Sequence, residues 1–196
     1  PGPYRVSWAK RVEGKTAPLP GEQEFAVVVE GAAGMHPEDR KLLFEFQQKV
    51  IRLERAVSGA LEAANNLTTR LEQIKRAMDY TPSIDLKLKD RARALEKQNN
   101  EILRALRGDT VLRGRNENTP PSISERVGNI VESERLTLSR PTTTQRDEYS
   151  IASHEFATEL TKLRKLMNVD LKEIEKALDL AGAPWTPGRL PEWTEK

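Results

Sequence analysis

Two hydrophobic periodicities divide this chain. In the first stretch Tyr4, Val6 and Trp8 alternate with Arg5, Ser7 and Ala9, a period of two with one apolar face. Glu13-Gly14-Lys15 offers a turn, and Pro18-Leu19-Pro20-Gly21 a second break. Phe25-Ala26-Val27-Val28-Val29 follows as a β-branched run, so residues 1–34 predict a β-hairpin. Two strands alone are marginal in water, and this pair needs further surface to lean on.

From Pro37 the period lengthens. Leu43, Phe46, Val50, Leu53, Val57, Ala60, Ala64, Leu67, Leu71, Ile74 and Met78 succeed one another in steps of three and four. That is a heptad seam, the mark of a coiled coil or a long bundle helix. Pro37 at the first helical position, with Glu38 and Asp39 behind it, starts the helix; Asp79 ends it, about 60 Å away at ~1.5 Å per residue. Glu45 with Lys49 and Glu72 with Arg76 are spaced for pairing on its wet face. Thr81-Pro82-Ser83 breaks the chain and favours an antiparallel return. On that return Leu88, Ala92, Leu95, Ile102 and Leu106 carry the seam. Asn99 stands where an apolar residue is expected, a position at which a polar group sets register.

Residues 107–121, with Gly108, Gly114, Pro120 and Pro121, predict a flexible loop. Ser122-Ile123-Ser124-Glu125 and Thr142-Thr143-Thr144-Gln145 are capping boxes. The first opens a short helix on Ile123, Val127, Ile130 and Val131. The second opens a long stripe from Tyr149 through Phe156, Leu163, Leu171 and Leu178. Gly182 suits a helix end. The tail from residue 183 carries Pro184, Pro187 and Pro191 beside Trp185 and Trp193 and predicts an extended segment docked through its tryptophans. The expected architecture is mainly α with a small β part: a hairpin (1–34), an antiparallel four-helix bundle (35–182) and a Pro/Trp tail (183–196), with Gly31-Ala32-Ala33-Gly34 as the hinge.

Composition narrows the function classes. Lys and Arg number 32 against 30 acidic residues, so a net charge of +2 gives no reason to expect nucleic acid. No run reaches the ~18 apolar residues of a spanning helix, so no membrane insertion is expected. With no Cys, thiolate chemistry and Cys-ligated metals are excluded. His154-Glu155 begins like a zincin motif, but Thr158 stands where the second His belongs, and His36 lies far off in sequence. No acid/base carboxylate pair stands out among the many paired with Lys and Arg, and neither His sits in the Glu-x-x-His pattern of a di-iron bundle. Arg113-Gly114-Arg115 has acidic neighbours Asp109 and Glu117, and the spelling Asn66-Leu67-Thr68 falls mid-helix. No catalytic residue, metal or cofactor is therefore assigned. The residues singled out are for packing or interface: Tyr4, Trp8, Phe25, Leu43, Phe46, Val50, Asn99, Trp185 and Trp193.

The opening Pro1-Gly2-Pro3-Tyr4-Arg5-Val6, the strand closing on Phe25-Ala26-Val27, and the later Val127-Gly128-Asn129-Ile130, Arg140-Pro141-Thr142-Thr143-Thr144-Gln145-Arg146 and Leu178 to Gly182 resemble the C-terminal region of sortilin-like, BNR-repeat β-propeller proteins of bacterial glycosyl-hydrolase type. There a PG-x-Y-x-V strand ends an immunoglobulin-like module and helices follow. Glu30 to Pro37 departs from that family's Asp-Pro-Arg junction. The resemblance implies a non-catalytic accessory module of a larger exported protein, periplasmic or extracellular, whose partner is the rest of that polypeptide; it transfers no catalytic residue. The first residue is not Met and no signal peptide precedes the strand, so the sequence reads as processed or as a piece of something longer. Two other readings stand beside it. One is a self-standing coiled-coil scaffold binding a protein partner through the long helix; the other is an enzyme with a dispersed carboxylate site. Seam coverage separates the first two: a scaffold leaves about two turns of the Leu43–Met78 seam open.

Overall fold

The computed structural model describes residues 1–28, 30, 35–136, 139–191, 193 and 195. The chain forms two compact units, Pro1–His36 and Pro37–Lys196. The boundary falls beside the expected hinge, which itself lies outside the described residues.

The first unit is one antiparallel hairpin of β1 (Gly2–Val12) and β2 (Lys15–Val27). Glu13 and Gly14, both at positive φ, make the two-residue turn that joins Val12 to Lys15. Tyr4 pairs with Phe25 and Trp8 with Leu19, and the register is irregular between Val6 and Trp8. There Leu19 to Gln23 oppose only Val6 to Trp8, which absorbs Pro20 and Gly21. No further strand joins this sheet among the described residues.

The second unit is helical: α1 (Pro37–Asp79), α2 (Leu86–Arg107), α3 (Thr110–Gly114), α4 (Ile123–Leu136), α5 (Thr143–Lys165) and α6 (Leu171–Leu180). The mainly α architecture with a small β part is as the periodicities predict. All eleven seam residues of α1 named above are buried. Both capping boxes form. Ser122 Oγ accepts from the Glu125 amide at 3.3 Å while the Ser122 amide donates to Glu125 Oε2 at 2.7 Å. Thr142 and Gln145 repeat the exchange at 3.2 and 2.8 Å. These bonds to Ser122, its amide first and its hydroxyl second, hold the Glu125 carboxyl below its ordinary range.

Helix directions follow from cross-helix pairs. Lys75–Glu96 and Asn99–Ala64 set α2 antiparallel to α1. Arg126–Glu155 and Gln145–Ser133 set α4 antiparallel to α5. Phe46–Tyr149 and Arg70–Glu175 run α5 and α6 parallel to α1. Thus α2 and α4 point the same way and lie successively along α1: α2 covers the half ending at Met78, and α4 the half beginning at Leu43. At ~1.5 Å per residue the two together nearly match α1 in length.

Four local features differ from expectation. Residues 107–121 hold the short α3, capped by Asp109, whose carboxylate accepts from the amides of Val111 and Leu112 at 2.9 and 3.1 Å. Arg113 pins it to Glu125 at 2.5 Å. The stripe from Tyr149 to Leu178 is not one α-helix but α5 and α6 joined by a π-helical turn, Leu166–Asp170, in which the Leu171 amide donates to the Leu166 carbonyl. The tail is not simply extended, since Gly188 sits at positive φ in a turn, while Gly182 at positive φ ends the last helix as expected. On the surface of α1, Glu45 lies 4.0 Å from Lys41, one turn behind it rather than ahead.

Candidate interaction surface

The residues chosen from the sequence fall into four groups. Leu43, Phe46 and Val50 are core. Phe46 and Val50 cluster with Ile130, flanked by Val131 and Tyr149, and the Phe46 and Tyr149 rings meet edge-on at 5.7 Å. This is the end of the seam that would stay open in a scaffold, and α4 and α5 fill it.

Asn99 is buried at the α1–α2 contact. Its Nδ2 donates to the Ala64 carbonyl and to Thr68 Oγ1, both at 2.9 Å. Thr68 Oγ1 in turn donates to the same carbonyl at 3.2 Å. A carbonyl four residues ahead of a threonine marks one position along α1, so sliding α2 by a turn breaks both bonds. The Asn99 Oδ1 is buried without a partner.

In the tail the cation rather than the tryptophans is docked. The Arg189 side chain is 2% exposed; it donates to Asp179 and, at 3.0 Å, to the Pro184 carbonyl, and stacks on Trp185 at 4.9 Å. Trp185 itself stays half exposed and Trp193 is 79% exposed. Gly188 passes so close to α1 that a Cβ there would sit 2.7 Å from the Arg70 guanidinium. Sequence reading missed Arg189 because a lone Arg among prolines carries no periodic signal.

The helical unit offers little chemistry. A cavity of about 580 Å³ lies where α2, α3, α5 and the start of α4 meet, with Leu112, Pro120, Pro121, Ile123 and His154 among its lining residues. Each carboxylate around it is already in an ion pair: Asp109 with Arg104 at 2.9 Å, Glu155 with Arg126 at 3.9 Å, Glu159 with Lys162 at 2.7 Å. Among the described residues no three His, Asp or Glu side chains gather as a metal set. No helix among them is long and apolar enough to cross a membrane.

The fourth group, Tyr4, Trp8 and Phe25, lies on the hairpin. Alternation and register put Tyr4, Val6, Trp8 and Val12 of β1 on one face with Leu19, Phe25 and Val27 of β2. The opposite face carries Arg5, bonded to Glu24 at 2.8 Å and near Glu22 at 3.6 Å. Tyr4 and Phe25 stack at 5.9 Å, as an ordered cross-strand pair does. Yet all seven apolar side chains are exposed, Trp8 by 62% and Tyr4 and Phe25 each by 51%. Lys10, Gln23 and Lys15 share this face, and the exposed apolar side chains on a sheet with two open edges make it the candidate interaction surface. The chain matches no family model, no curated protein and no solved structure.

Proposed function

We propose that this chain is a non-catalytic accessory module of a larger polypeptide, in which the hairpin contributes two strands to a sandwich sheet and the helical unit serves as its rigid appendage. The observation that carries this reading is the set of seven apolar side chains on one face of the hairpin, interrupted by Lys10, Gln23 and Lys15, and exposed throughout. The helical unit, by contrast, has a filled core, and burial of Leu43, Phe46 and Val50 takes away the open seam that the scaffold reading requires. The kind of parent, an exported sortilin-like β-propeller protein of glycosyl-hydrolase type, is supplied by the short Pro1–Val6 and Arg140–Arg146 motifs alone.

Amide hydrogen exchange on the chain by itself tests the module reading. Amides of the helical core should exchange near the rate of global unfolding, while those of β1 and β2 exchange nearly as fast as an unfolded peptide. Slow exchange at Val6 and Val27 without any partner would mean that the hairpin is already complete, and the reading would fall.

A further inference from the structure

The two edges of the hairpin are not equivalent. In an antiparallel pair every second residue turns its N–H and C=O toward the partner strand and the rest turn theirs outward. From Tyr4 to Val12, β1 contains no proline, so its outward donors form an unbroken row. β2 contains Pro18 and Pro20, which donate nothing, and the register irregularity from Leu19 to Gln23. Proline and bulges are what blunt an edge against pairing. The charges differ too. β1 carries Arg5, Lys10 and Arg11 and no acid, while β2 carries Glu22 and Glu24 against the single Lys15 at its start. Only Arg5 finds its counter-charge across the hairpin; Lys10 and Arg11 stand opposite Ala17 and Thr16.

We infer that β1 is the receiving edge, and that its occupant is an extended strand of alternating apolar and acidic residues. Its apolar side chains lie abreast of Tyr4, Val6 and Trp8 and continue that face; its Asp or Glu residues fall on the opposite face, abreast of Arg5 and Arg11. β2 is then the outer, blunted strand of the completed sheet. This rests on the module reading and deepens it by naming the edge and the chemistry of the strand that takes it. The backbone supplies the affinity, as in other strand additions, and the pattern of side chains the choice of partner. Like charges directly abreast in a sheet oppose pairing, so a basic strand is disfavoured at this edge.

The test uses the full chain with a strand as long as Pro1–Val12, Val facing the even-numbered and Glu the odd-numbered positions of β1, joined ahead of Pro1 by an Asn-Gly turn. The turn holds the strand at high effective concentration beside the sheet. Every second amide between Tyr4 and Val12 should exchange at least ~10-fold more slowly than in the chain without the added strand, as outward donors gain partners. The same fusion with Lys in place of Glu should protect these amides less. Three results would overturn the inference: no added protection anywhere in the hairpin, protection of β2 in place of β1, or equal protection by the Lys strand. The second of these leaves the module reading standing with the edges exchanged. The module reading itself fails on a different measurement, slow hairpin exchange in the chain that carries no added strand.

Discussion

Replacing Asn99 with Leu should make the helical unit more stable. The side chain is 1% exposed and makes two neutral hydrogen bonds, each contributing about 0.5–1.5 kcal/mol net. Losing them strands nothing: the Ala64 carbonyl keeps the Thr68 hydroxyl at 3.2 Å, and Thr68 keeps that bond as donor. Against the loss stands the Oδ1, buried without a partner, whose desolvation costs about 1–3 kcal/mol and vanishes in the variant. A buried Leu adds about 1.5–3 kcal/mol of apolar burial, part of which repacking around the extra branch takes back. The sum favours Asn99→Leu by about 1–2 kcal/mol, which at ~2–4 °C per kcal/mol for a chain of this size raises Tm by several degrees. Asn99→Ala loses the same bonds without filling the space and should fall below the wild type. Calorimetry of the three proteins decides. An unchanged or lower Tm for Asn99→Leu would refute the claim that this position is a net cost held for register. The register role has its own readout: the wild type should give one set of amide resonances, and Asn99→Leu additional or broadened ones along α2.

Three further outcomes are expected. Glu125→Gln should destabilise the chain at neutral pH: the folded-state pKa is lowered, so the stabilisation is present above the ordinary glutamate range and is lost as pH falls through the folded value; denaturation midpoints of both proteins should converge in acid. Glu134→Gln should do the opposite, because burial raises the folded pKa of Glu134 and leaves Oε1 without a partner; its charged form opposes folding at neutral pH, and the advantage of Gln should fade below the ordinary glutamate range, in the same pH-resolved denaturation series. Arg189→Ala should cost about 1–3 kcal/mol in urea, since charged hydrogen bonds to Asp179 and Pro184 are lost, and should expose Trp185 further to a fluorescence quencher; unaltered quenching would mean that the tail is held by something else.

What the sequence makes legible here is periodicity and capping. The α1 seam, the polar interruption at Asn99, and the Ser122 and Thr142 boxes are local patterns with one physical reading each, and all appear where those patterns stand. The alternation of Tyr4, Val6 and Trp8 likewise predicts a strand with one apolar face. The rest depends on contacts between distant segments. That α2 and α4 share one flank of α1 follows from lengths and from pairs such as Arg126–Glu155, which no local pattern announces. Gly108 ahead of α3 and Gly114 at its last position disguise it as loop; the signal that could have found it is Asp109, an N-cap two residues ahead of Val111. Trp185 and Trp193 drew attention by area, yet the tail is fixed by a guanidinium whose partner, Asp179, precedes it by ten positions.

The π-helical turn at Leu166–Asp170 bears on which deletions this chain can survive. Buried positions of α5 recur at Ala152, Phe156 and Leu163, the turn itself opens on buried Leu166, and those of α6 resume at Leu171, Ile174 and Leu178. The five-residue step from Leu166 to Leu171 is too long for one α turn, and the wider ring takes up the surplus residue while both flanks keep their inward faces. In reading-frame terms the turn is a tolerated single-codon surplus. Removing Asn168 should let the segment close into continuous α-helix with both apolar stripes still aligned. Removing a residue such as Ala157, in regular α-helix, instead rotates everything on one side of it by about 100° and turns a stripe toward water. A scan of single-codon deletions along 143–180 should therefore show one window of viability, centred on the turn.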